Sequence, residues 1–258
     1  MRPVVLCFSG LDPSGGAGLH ADIETIATLG GVAAVACTAL TIQDSQRVYG
    51  FEAVSPDLVM RQAEAVLADL PVKAIKLGML GSVAMIDIVA RILAAHPDIP
   101  VVMDPVLSAN SGGSLSDSDL TGALDRLLPM TTLLTPNTVE ARRLGATDDL
   151  AVAIARLSAK GAQNILLKGG HEPGDLLQNR LFQGDTPVYE SRVARLPGEY
   201  HGSGCTLAAA IAAGIASGAD LVEAVRQAEA FVRAALSRAD CPRQEGQRIP
   251  WRMAGARP

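Results

Sequence analysis

The sequence has few aromatic residues and no excess of positive charge. Aromatic residues make up 3% of the chain, and 22 Lys and Arg residues stand against 27 Asp and Glu residues, which gives a formal net charge of −5. A protein that binds nucleic acid needs a basic surface to neutralise phosphates, and one that binds single strands also needs aromatic side chains for base stacking. The composition therefore argues against both kinds of nucleic-acid-binding protein.

The sequence also lacks an apolar run suited to crossing a membrane. The uncharged stretch 25–43 is divided by Gly30-Gly31, and the uncharged stretch 205–219 is too short to span comfortably. The first residues show neither the apolar core nor the cleavage site of a secretory signal peptide. These features predict a soluble protein of the cytoplasm.

Cysteine and histidine pairs of the kind that bind metals are missing as well. The four cysteines include no Cys-x-x-Cys pair, and the four histidines include no His-x-x-x-His pair. The sequence therefore predicts neither a zinc site nor a disulfide framework, and its thiols suit a reducing compartment.

The sequence does contain short aliphatic runs that alternate with longer segments of helical period. This alternation predicts an α/β fold with a mostly parallel central sheet and helices on both faces. The predicted strands are 4–8, 32–40, 74–77, 101–103, 133–134 and 165–167, with an antiparallel edge over 176–193. The predicted helices are 18–29, 58–70, 83–95, 117–128, 138–144, 150–160, 204–216 and 220–239. We expect one domain over 1–241 and a loosely structured C-terminal tail over 242–258, which has little apolar periodicity.

Ligands in such sheets bind at the carboxyl ends of the strands, and a glycine-rich loop, residues 10–18, follows the first predicted strand. The loop contains no Gly-x-x-x-x-Gly-Lys-Ser/Thr, and no Gly-x-Gly-x-x-Gly follows the strand. Its composition is consistent either with a tight turn that allows close backbone approach or with a ligand-binding segment.

The small residues Gly202-Ser203-Gly204 precede a predicted helix and indicate an anion site. Backbone N–H groups at a helix start lack intrahelical partners, and the helix dipole favours negative charge there. Cys205 would lie in the first turn, where the same field should help its thiol to ionise. A contact between two helices with an inert cysteine is the alternative interpretation.

Lys168 and the pair Asn137 and Glu140 also follow predicted strands. Lys168 precedes two glycines, so it could place its charge over phosphates. If a helix begins at Pro136, Asn137 and Glu140 share one face and could hold Mg²⁺ or its waters. A surface lysine and an ordinary helix cap are the alternatives. Together with the anion site, these residues predict a site for a magnesium nucleotide.

Taken together, these segments resemble the hydroxymethylpyrimidine/phosphomethylpyrimidine kinase family of thiamine biosynthesis, within the ribokinase-like superfamily. The resemblance extends over residues 3–238. The matching segments are 10–18, Gln43, Lys76-Leu77-Gly78-Met79-Leu80, Asp104-Pro105-Val106, Thr135-Pro136-Asn137 with Glu140, Lys168-Gly169-Gly170-His171 and His201-Gly202-Ser203-Gly204-Cys205-Thr206. The resemblance implies a homodimer of three-layer α/β/α subunits that uses ATP and Mg²⁺ to phosphorylate the pyrimidine alcohol and then its monophosphate.

The resemblance also implies roles for individual residues. Gln43 matches the glutamine that binds the pyrimidine. Its amide offers a donor and an acceptor in one plane, and the edge of an aminopyrimidine offers the complementary pair. The other positions expected around the pyrimidine are Gly10, Asp22, Met79 and Val106. Cys205 matches the catalytic base, and Gly202 and Gly204 match the anion hole. ATP is expected to contact Lys168, Asn137, Gly202, Ser203 and Gly204, and Mg²⁺ is expected at Glu140 and Asp104.

The sequence departs from the family pattern at three places. Asp44-Ser45 replaces Asn-Thr after Gln43, Tyr200 replaces Thr before His201, and the glycine-rich C-terminal ending is missing. Two other functions stay open: a pyridoxal or pyridoxine kinase of the same fold, and a non-catalytic sensor of pyrimidine or nucleotide. Lys168, Glu140 and Cys205 together argue against the sensor, because binding alone needs no base.

Overall fold

A nine-stranded sheet forms the centre of the protein in the computed structural model, which describes residues 1–107, 120–242 and 246–253. The strands are β1 (Val4–Leu11), β2 (Val32–Gln43), β3 (Val48–Ala53), β4 (Val72–Leu77), β5 (Val101–Met103), β6 (Leu133–Leu134), β7 (Asn164–Leu167), β8 (Leu176–Gln183) and β9 (Thr186–Ala194). Their order in the sheet is β3-β2-β1-β4-β5-β6-β7-β8-β9. The six central strands, β2, β1, β4, β5, β6 and β7, pair in parallel. Strand β3 at one edge and strands β8 and β9 at the other edge pair antiparallel.

Helices cover both faces of this sheet. They are α1 (Gly18–Thr28), α2 (Pro56–Asp69), α3 (Val83–Ala95), α4 (Leu120–Leu124), α5 (Thr138–Gly145), α6 (Leu150–Ala159), α7 (Ser203–Ala216) and α8 (Leu221–Ser237), with a 3₁₀ turn at Leu128–Met130. Helices α1, α7 and α8 pack on one face, and α2 to α6 pack on the other. Among the described residues, no helix has the length and apolarity needed to cross a membrane.

Strand β1 explains why the sheet can be buried on both sides. Val5 and Cys7 face the layer that contains α7, and Leu6 and Phe8 face the opposite layer. Side chains alternate between the two faces of a strand, so a strand buried on both faces is a continuous apolar run. The predicted α/β architecture is confirmed.

The structure corrects the sequence prediction at the β3 edge. Strand β2 continues three residues beyond the predicted end to Gln43, and β3 was not predicted. Strand β3 contains Gly50 and has no fully buried side chain, so its sequence lacks a clear apolar alternation. In the helix predicted over 117–128, only Leu120–Leu124 is α-helical, and residues 117–119 lie outside the described part of the chain.

The prediction of a loose tail is wrong for residues 246–253, which we call the C-terminal segment. Ile249 pairs with Asp240, the Trp251 amide donates to the Ala235 carbonyl at 3.1 Å, and the side chain of Arg252 is fully buried. The segment is held by backbone pairing and a buried guanidinium instead of an apolar stripe, so hydrophobic periodicity could not reveal it. Residues 243–245 and 254–258 lie outside the described residues.

Candidate active site

An ion pair lies at the carboxyl ends of the central strands. Lys168 follows β7 and Asp104 follows β5, and the Lys168 Nζ donates to the Asp104 Oδ1 at 2.6 Å. Thr135, which follows β6, donates from its Oγ1 to the same oxygen at 3.2 Å. A Cβ atom added at Gly204 would lie 3.3 Å from the Lys168 Nζ and 3.4 Å from the Asp104 Oδ2. The first turn of α7 therefore lies directly against this ion pair.

Glu140 adds a second carboxylate to the ion pair. Burial raises the pKa of Glu140 to about 7, with Lys168 opposing the increase and Asp104 adding to it. Burial alone would lower the pKa of Lys168, but the charges of Asp104 and Glu140 outweigh burial and raise it. Lys168 is therefore a charged ammonium at neutral pH, and the surface lysine considered as an alternative is wrong because its side chain is only 14% exposed.

Asn137 and Glu140 also form the helix cap that was considered as an alternative. The Asn137 Oδ1 accepts from the Glu140 amide, and the Glu140 Oε2 accepts from the Asn137 amide, both at 2.8 Å. This reciprocal capping box starts α5 and fixes the Glu140 carboxylate. Glu140 is thus both part of a helix cap and a buried carboxylate, so its role in the cap does not exclude a role in metal binding.

The carboxylates of Asp104 and Glu140 are ligands of the kind that magnesium prefers. Magnesium usually takes one or two carboxylates together with substrate phosphates and water. Burial leaves the charge of Glu140 poorly compensated, as its raised pKa indicates, and a divalent cation would relieve this cost. Among the described residues, no group of three His, Cys, Asp or Glu side chains could form a cage by itself.

Cys205 lies in the first turn of α7, as predicted, and is half-buried. The expectation that its thiol ionises more readily is wrong, because burial raises the pKa of Cys205. The charge of Lys76 and the amide of Gly18 favour the thiolate, but they do not outweigh burial together with the carboxylates of Asp104 and Asp22. In the free protein, Cys205 is therefore a protonated thiol at neutral pH.

The two glycine-rich segments pack backbone against backbone. Gly202 is the N-cap of α7 with φ = 75°, and a Cβ atom there would lie 1.9 Å from the Gly16 carbonyl oxygen. A Cβ atom at Gly16 would lie 2.1 Å from the His201 ring. The loop 10–18 is therefore a tight turn that allows close backbone approach, one of the two readings of its sequence.

Asp12 organises this turn and was missed from the sequence. Its Oδ1 accepts from the Ser14 amide at 2.8 Å and its Oδ2 accepts from the Ala17 amide at 2.8 Å. The Asp12 Oδ2 also lies 2.8 Å from the His201 Nε2, next to the start of α7. Burial raises the pKa of Asp12, but these hydrogen bonds from His201 and Ser14 outweigh it and keep the pKa below its usual value. The order Asp-Pro-Ser-Gly, typical of an Asx turn, is a signal that could have identified it.

The structure brings together several of the residues expected around the pyrimidine. A Cβ atom at Gly10 would lie 3.2 Å from the Met79 Sδ, and Met79 belongs to an apolar cluster that Val106 packs against. Gln43 joins this region through Thr41, since the Gln43 Nε2 donates to the Thr41 Oγ1 at 2.7 Å. The Thr41 Oγ1 in turn donates to the Leu11 carbonyl at 2.9 Å.

Asp22 is placed differently from the expectation. Its side chain is fully buried, and its Oδ1 lies 2.9 Å from the Nζ of Lys76, which is also fully buried. Burial by itself would lower the pKa of Lys76. The charges of Asp22 and the neighbouring acidic groups outweigh burial, so the pKa is raised. Asp22 therefore pairs with the buried lysine whose charge favours the Cys205 thiolate, and its place around the pyrimidine stays a prediction.

A polar cluster outside the predicted site supports the loop that follows Lys168. The Asn179 Oδ1 accepts from the Gly169 amide at 3.1 Å, and its Nδ2 donates to the Glu229 Oε1 at 2.7 Å. Glu229 also accepts from the hydroxyl groups of Tyr189 and Ser191 at 2.9 and 2.7 Å. The three strand residues and Glu229 of α8 are far apart in sequence, so no local pattern could have identified the cluster.

Two departures from the family pattern have structural roles. The Asp44 Oδ1 accepts from the amides of Gln46 and Arg47 at 2.7 and 3.0 Å, and its Oδ2 accepts from the Tyr49 hydroxyl at 2.9 Å. Asp44 therefore closes the turn between β2 and β3, next to Gln43. Tyr200 donates from its hydroxyl to the Pro197 carbonyl at 3.0 Å, which shapes the chain before the start of α7.

Comparisons with known proteins identify the family of this chain. Residues 12–249 match the family model described as phosphomethylpyrimidine kinase. The chain is 40% identical over 253 residues to a hydroxymethylpyrimidine/phosphomethylpyrimidine kinase of Rhizobium meliloti, covering 93% of this chain and 92% of that protein.

Solved structures show the same fold. A pyridoxal kinase from Staphylococcus aureus in complex with AMP-PCP and pyridoxal is 31% identical, has a TM-score of 0.88, and covers 98% of this chain and 94% of its own. A phosphomethylpyrimidine kinase from Clostridium difficile is 29% identical, has a TM-score of 0.78, and covers 91% of this chain and 100% of its own. The predicted three-layer, ribokinase-like fold is therefore confirmed. The ion pair, the capping box and the start of α7 all lie within the residues that match the family model. The chain belongs to the phosphomethylpyrimidine kinase family.

Proposed function

We propose that this protein is a kinase that transfers the γ-phosphoryl group of ATP to 4-amino-5-hydroxymethyl-2-methylpyrimidine and then to the resulting monophosphate. The observation that carries the proposal is the convergence of Lys168, Asp104 and the first turn of α7 on one edge of the sheet. The membership of the family supports the choice of substrate.

The start of α7 and Lys168 would stabilise the charge of the moving phosphoryl group. Backbone amides in the first turn of a helix have no intrahelical acceptors, and those of Ser203 and Gly204 lie at this end of α7. The ammonium of Lys168 lies beside them. Phosphoryl transfer depends mainly on positioning and on such charge stabilisation. In this assignment Gly202 allows the tight entry into the helix, and Asn137 fixes the adjacent start of α5.

Cys205 would take the proton from the attacking hydroxyl group. The hydroxyl oxygen forms a bond to the γ-phosphorus as the bond to ADP breaks, and the proton goes to the Cys205 sulfur. Since burial raises the pKa of Cys205, the thiol would first have to lose its own proton to solvent before its sulfur can accept the proton of the hydroxyl group. Lys76, whose charge favours the thiolate, is the group that would stabilise it.

Asp104 and Glu140 would hold Mg²⁺, which neutralises phosphate charge when bound. Glu140→Gln tests this assignment while keeping the helix cap, since Gln also completes a capping box. We expect this variant to need more Mg²⁺ than wild type for half-maximal turnover. A magnesium titration that overlays the wild-type curve would remove Glu140 from the metal site.

Gln43, Gly10, Met79 and Val106 would form the pyrimidine end of the site. The Gln43 amide can pair with the edge of an aminopyrimidine, and its hydrogen bond to Thr41 orients it. Gly10 and Met79 lie in contact distance and would pack against the ring. Asp22 would act here only through Lys76, since its own carboxylate is buried.

We further propose a cytoplasmic homodimer, formed through the β2–β3 edge of the sheet. Leu40, Ile42 and Tyr49 are large apolar residues on these two strands and are between 49% and 59% exposed. A second copy of the chain would cover them. Sedimentation at a range of protein concentrations should show a dimer that Ile42→Asp dissociates. The free thiols of Cys7, Cys37 and Cys205 suit a reducing cytoplasm.

A pyridoxal kinase is the second candidate, because the Staphylococcus aureus pyridoxal kinase matches 98% of this chain with a TM-score of 0.88. The deciding experiment measures ATP consumption with hydroxymethylpyrimidine, its monophosphate, pyridoxal and ribose. We expect turnover with both pyrimidines and a much lower kcat/KM with pyridoxal. Preferential turnover of pyridoxal would favour the second candidate, and binding without turnover of any of them would indicate a sensor.

A further inference from the structure

The C-terminal segment, residues 246–253, contacts the site through one buried side chain. Arg252 has no exposed side-chain area, although it lies in a part of the sequence with little apolar periodicity. An arginine stays charged even when it is buried. The free-energy cost of burying such a charge is compensated only when its donors are paired. The acceptors of Arg252 therefore indicate which parts of the chain it connects.

The guanidinium of Arg252 spans two separate parts of the chain. Its Nε donates to the Thr206 Oγ1 in the first turn of α7 at 2.8 Å. Its Nη1 and Nη2 donate to the carbonyl oxygens of Gly15 and Gly16 in the glycine-rich loop, at 3.4 Å for Gly15. The Nη1 also pairs with the Glu24 Oε2 of α1 at 3.1 Å.

A second hydrogen bond links Thr206 to Gly202, at the start of α7. The Thr206 Oγ1, which accepts from Arg252, donates to the Gly202 carbonyl at 2.8 Å. Gly202 in turn packs against the Gly16 carbonyl, where a Cβ atom would lie only 1.9 Å away. Arg252, Thr206, Gly202 and Gly16 therefore form a closed ring of contacts behind the first turn of α7.

The backbone of the C-terminal segment also pairs with the chain that leads into α7. The Arg248 amide donates to the Glu199 carbonyl at 2.8 Å, and the His201 amide donates to the Arg248 carbonyl at 2.9 Å. His201 immediately precedes Gly202 and contacts Asp12. The segment is thus attached on both sides of the short stretch that sets the position of the α7 amides.

We propose that Arg252 is a positioning residue for phosphoryl transfer, which clamps the β1–α1 loop to the first turn of α7. This inference rests on the proposed kinase function, because it assigns the clamp to the same site. Arg252 does not touch the reacting atoms; it fixes the amides and Cys205, which do. Its planar fork of donors reaches four acceptors in different directions, which the single ammonium of a lysine cannot match.

The test compares wild type with Arg252→Ala, Arg252→Lys and a matched control, Arg233→Ala. Arg233 is an exposed arginine that donates to one carbonyl, that of Ala194, at 2.8 Å. We expect Arg252→Ala to lower kcat by about 10–100-fold, the size of effect that a small misplacement of reacting groups produces. KM for ATP should change little, and Arg233→Ala should match wild type in both constants.

Free guanidinium should restore part of kcat in Arg252→Ala and none in Arg252→Lys, whose side chain fills the site without the fork. If Arg252→Ala does not fold, Arg252→Lys carries the test, with kcat reduced at an unchanged melting temperature. A wild-type kcat in either folded variant would overturn the proposal.

The alkylation rate of Cys205 by iodoacetamide separates this proposal from the proposed function. A first turn of α7 that is no longer clamped should expose Cys205, so Arg252→Lys should be alkylated faster than wild type. This readout does not require turnover, so it applies even if no substrate of the panel is phosphorylated. Equal alkylation rates in wild type and Arg252→Lys would overturn the clamp whatever the kinetic result.

Discussion

The two ends of the proposed site are built in different ways. At the phosphate end, Lys168 and Asp104 are paired at 2.6 Å, and Glu140 lies in the same buried field. At the pyrimidine end, Gln43 is half-buried and lies at the end of β2, beside the exposed apolar residues of the sheet edge. Buried charges therefore dominate one end, while neutral residues from several strands and the loops after them form the other.

This difference indicates a division of labour. A buried cluster of charges is pre-organised, and it acts on the charge that develops during the reaction. A neutral amide at the end of a strand can select a ligand without changing the reacting centre. We therefore expect changes at the phosphate end to affect turnover and changes at the pyrimidine end to affect binding.

The largest effect should follow from Lys168→Ala. This change removes the ammonium that lies among two buried carboxylates and that is proposed to stabilise phosphate charge, and we expect kcat to fall by at least about 10²–10³-fold. Raised Mg²⁺ should not restore it. Lys160→Ala is the matched control, because Lys160 pairs with Asp125 at 3.0 Å on the surface. Turnover within a few-fold of wild type would show that Lys168 serves only to fix Asp104.

Cys205→Ala should have the next largest effect, since it removes the proposed base. We expect kcat to fall by at least about 10²-fold, the lower end for a lost general base, while ATP and pyrimidine still bind. Cys205→Asp should keep measurable turnover because a carboxylate supplies a base at a similar reach. A nearly normal kcat in the alanine variant would make Cys205 a packing residue and leave charge stabilisation as the source of catalysis.

The pH dependence of Cys205 alkylation sharpens the same point. Burial raises the pKa of Cys205, so the thiol stays protonated until the pH exceeds the usual range for cysteine. Only the thiolate is alkylated, so the rate in the free protein should be low at neutral pH and should keep rising above that range. A rate that levels off below the ordinary thiol pKa would show that Lys76 and the α7 amides outweigh burial.

Gln43→Ala should affect binding rather than turnover. Loss of the paired amide should weaken pyrimidine binding by about 1–3 kcal/mol and leave ATP affinity unchanged. Calorimetric titration with each ligand measures this, with Gln46→Ala, an exposed glutamine of the same turn, as the control. Equal losses for both ligands would indicate that Gln43 is structural.

The smallest effect on turnover is expected for Asn179→Ala. This change leaves the buried Gly169 amide without its acceptor, which should lower the free energy of unfolding by about 1–3 kcal/mol. Tyr189→Phe removes only one donor to Glu229 and should cost about 1 kcal/mol. Denaturant unfolding measures both, and a larger loss in Tyr189→Phe than in Asn179→Ala would contradict the proposed support of the Lys168 loop.

The sequence predicted much of the fold because most elements have a strong local pattern. Helix α3 and the strands β5 and β6 have the predicted bounds. Strand β3 lacked such a pattern because its side chains are only half-buried or exposed. The C-terminal segment was mispredicted because its attachment depends on Arg252 and backbone pairing, which apolar periodicity does not report.

The position of a side chain was predictable where it directly follows a strand, as for Lys168 and Asp104. Properties that depend on the three-dimensional surroundings of a side chain were not predictable. The pKa of Cys205 depends on burial and on Lys76 as well as on the helix start, and the place of Asp22 depends on the same buried lysine. Contacts between distant segments, such as that of Asp12 with His201, have no local signature.

The most direct test of the division between the two ends is a double-mutant cycle of Gln43→Ala and Cys205→Ala. It measures pyrimidine affinity and the single-turnover rate of phosphoryl transfer in wild type, in both single variants and in the double variant. If the two ends act independently, the double variant has the affinity of Gln43→Ala and the rate of Cys205→Ala, with the free-energy changes additive within about 0.5 kcal/mol. A rate loss in Gln43→Ala comparable to that in Cys205→Ala, or a coupling well above that limit, would contradict the account.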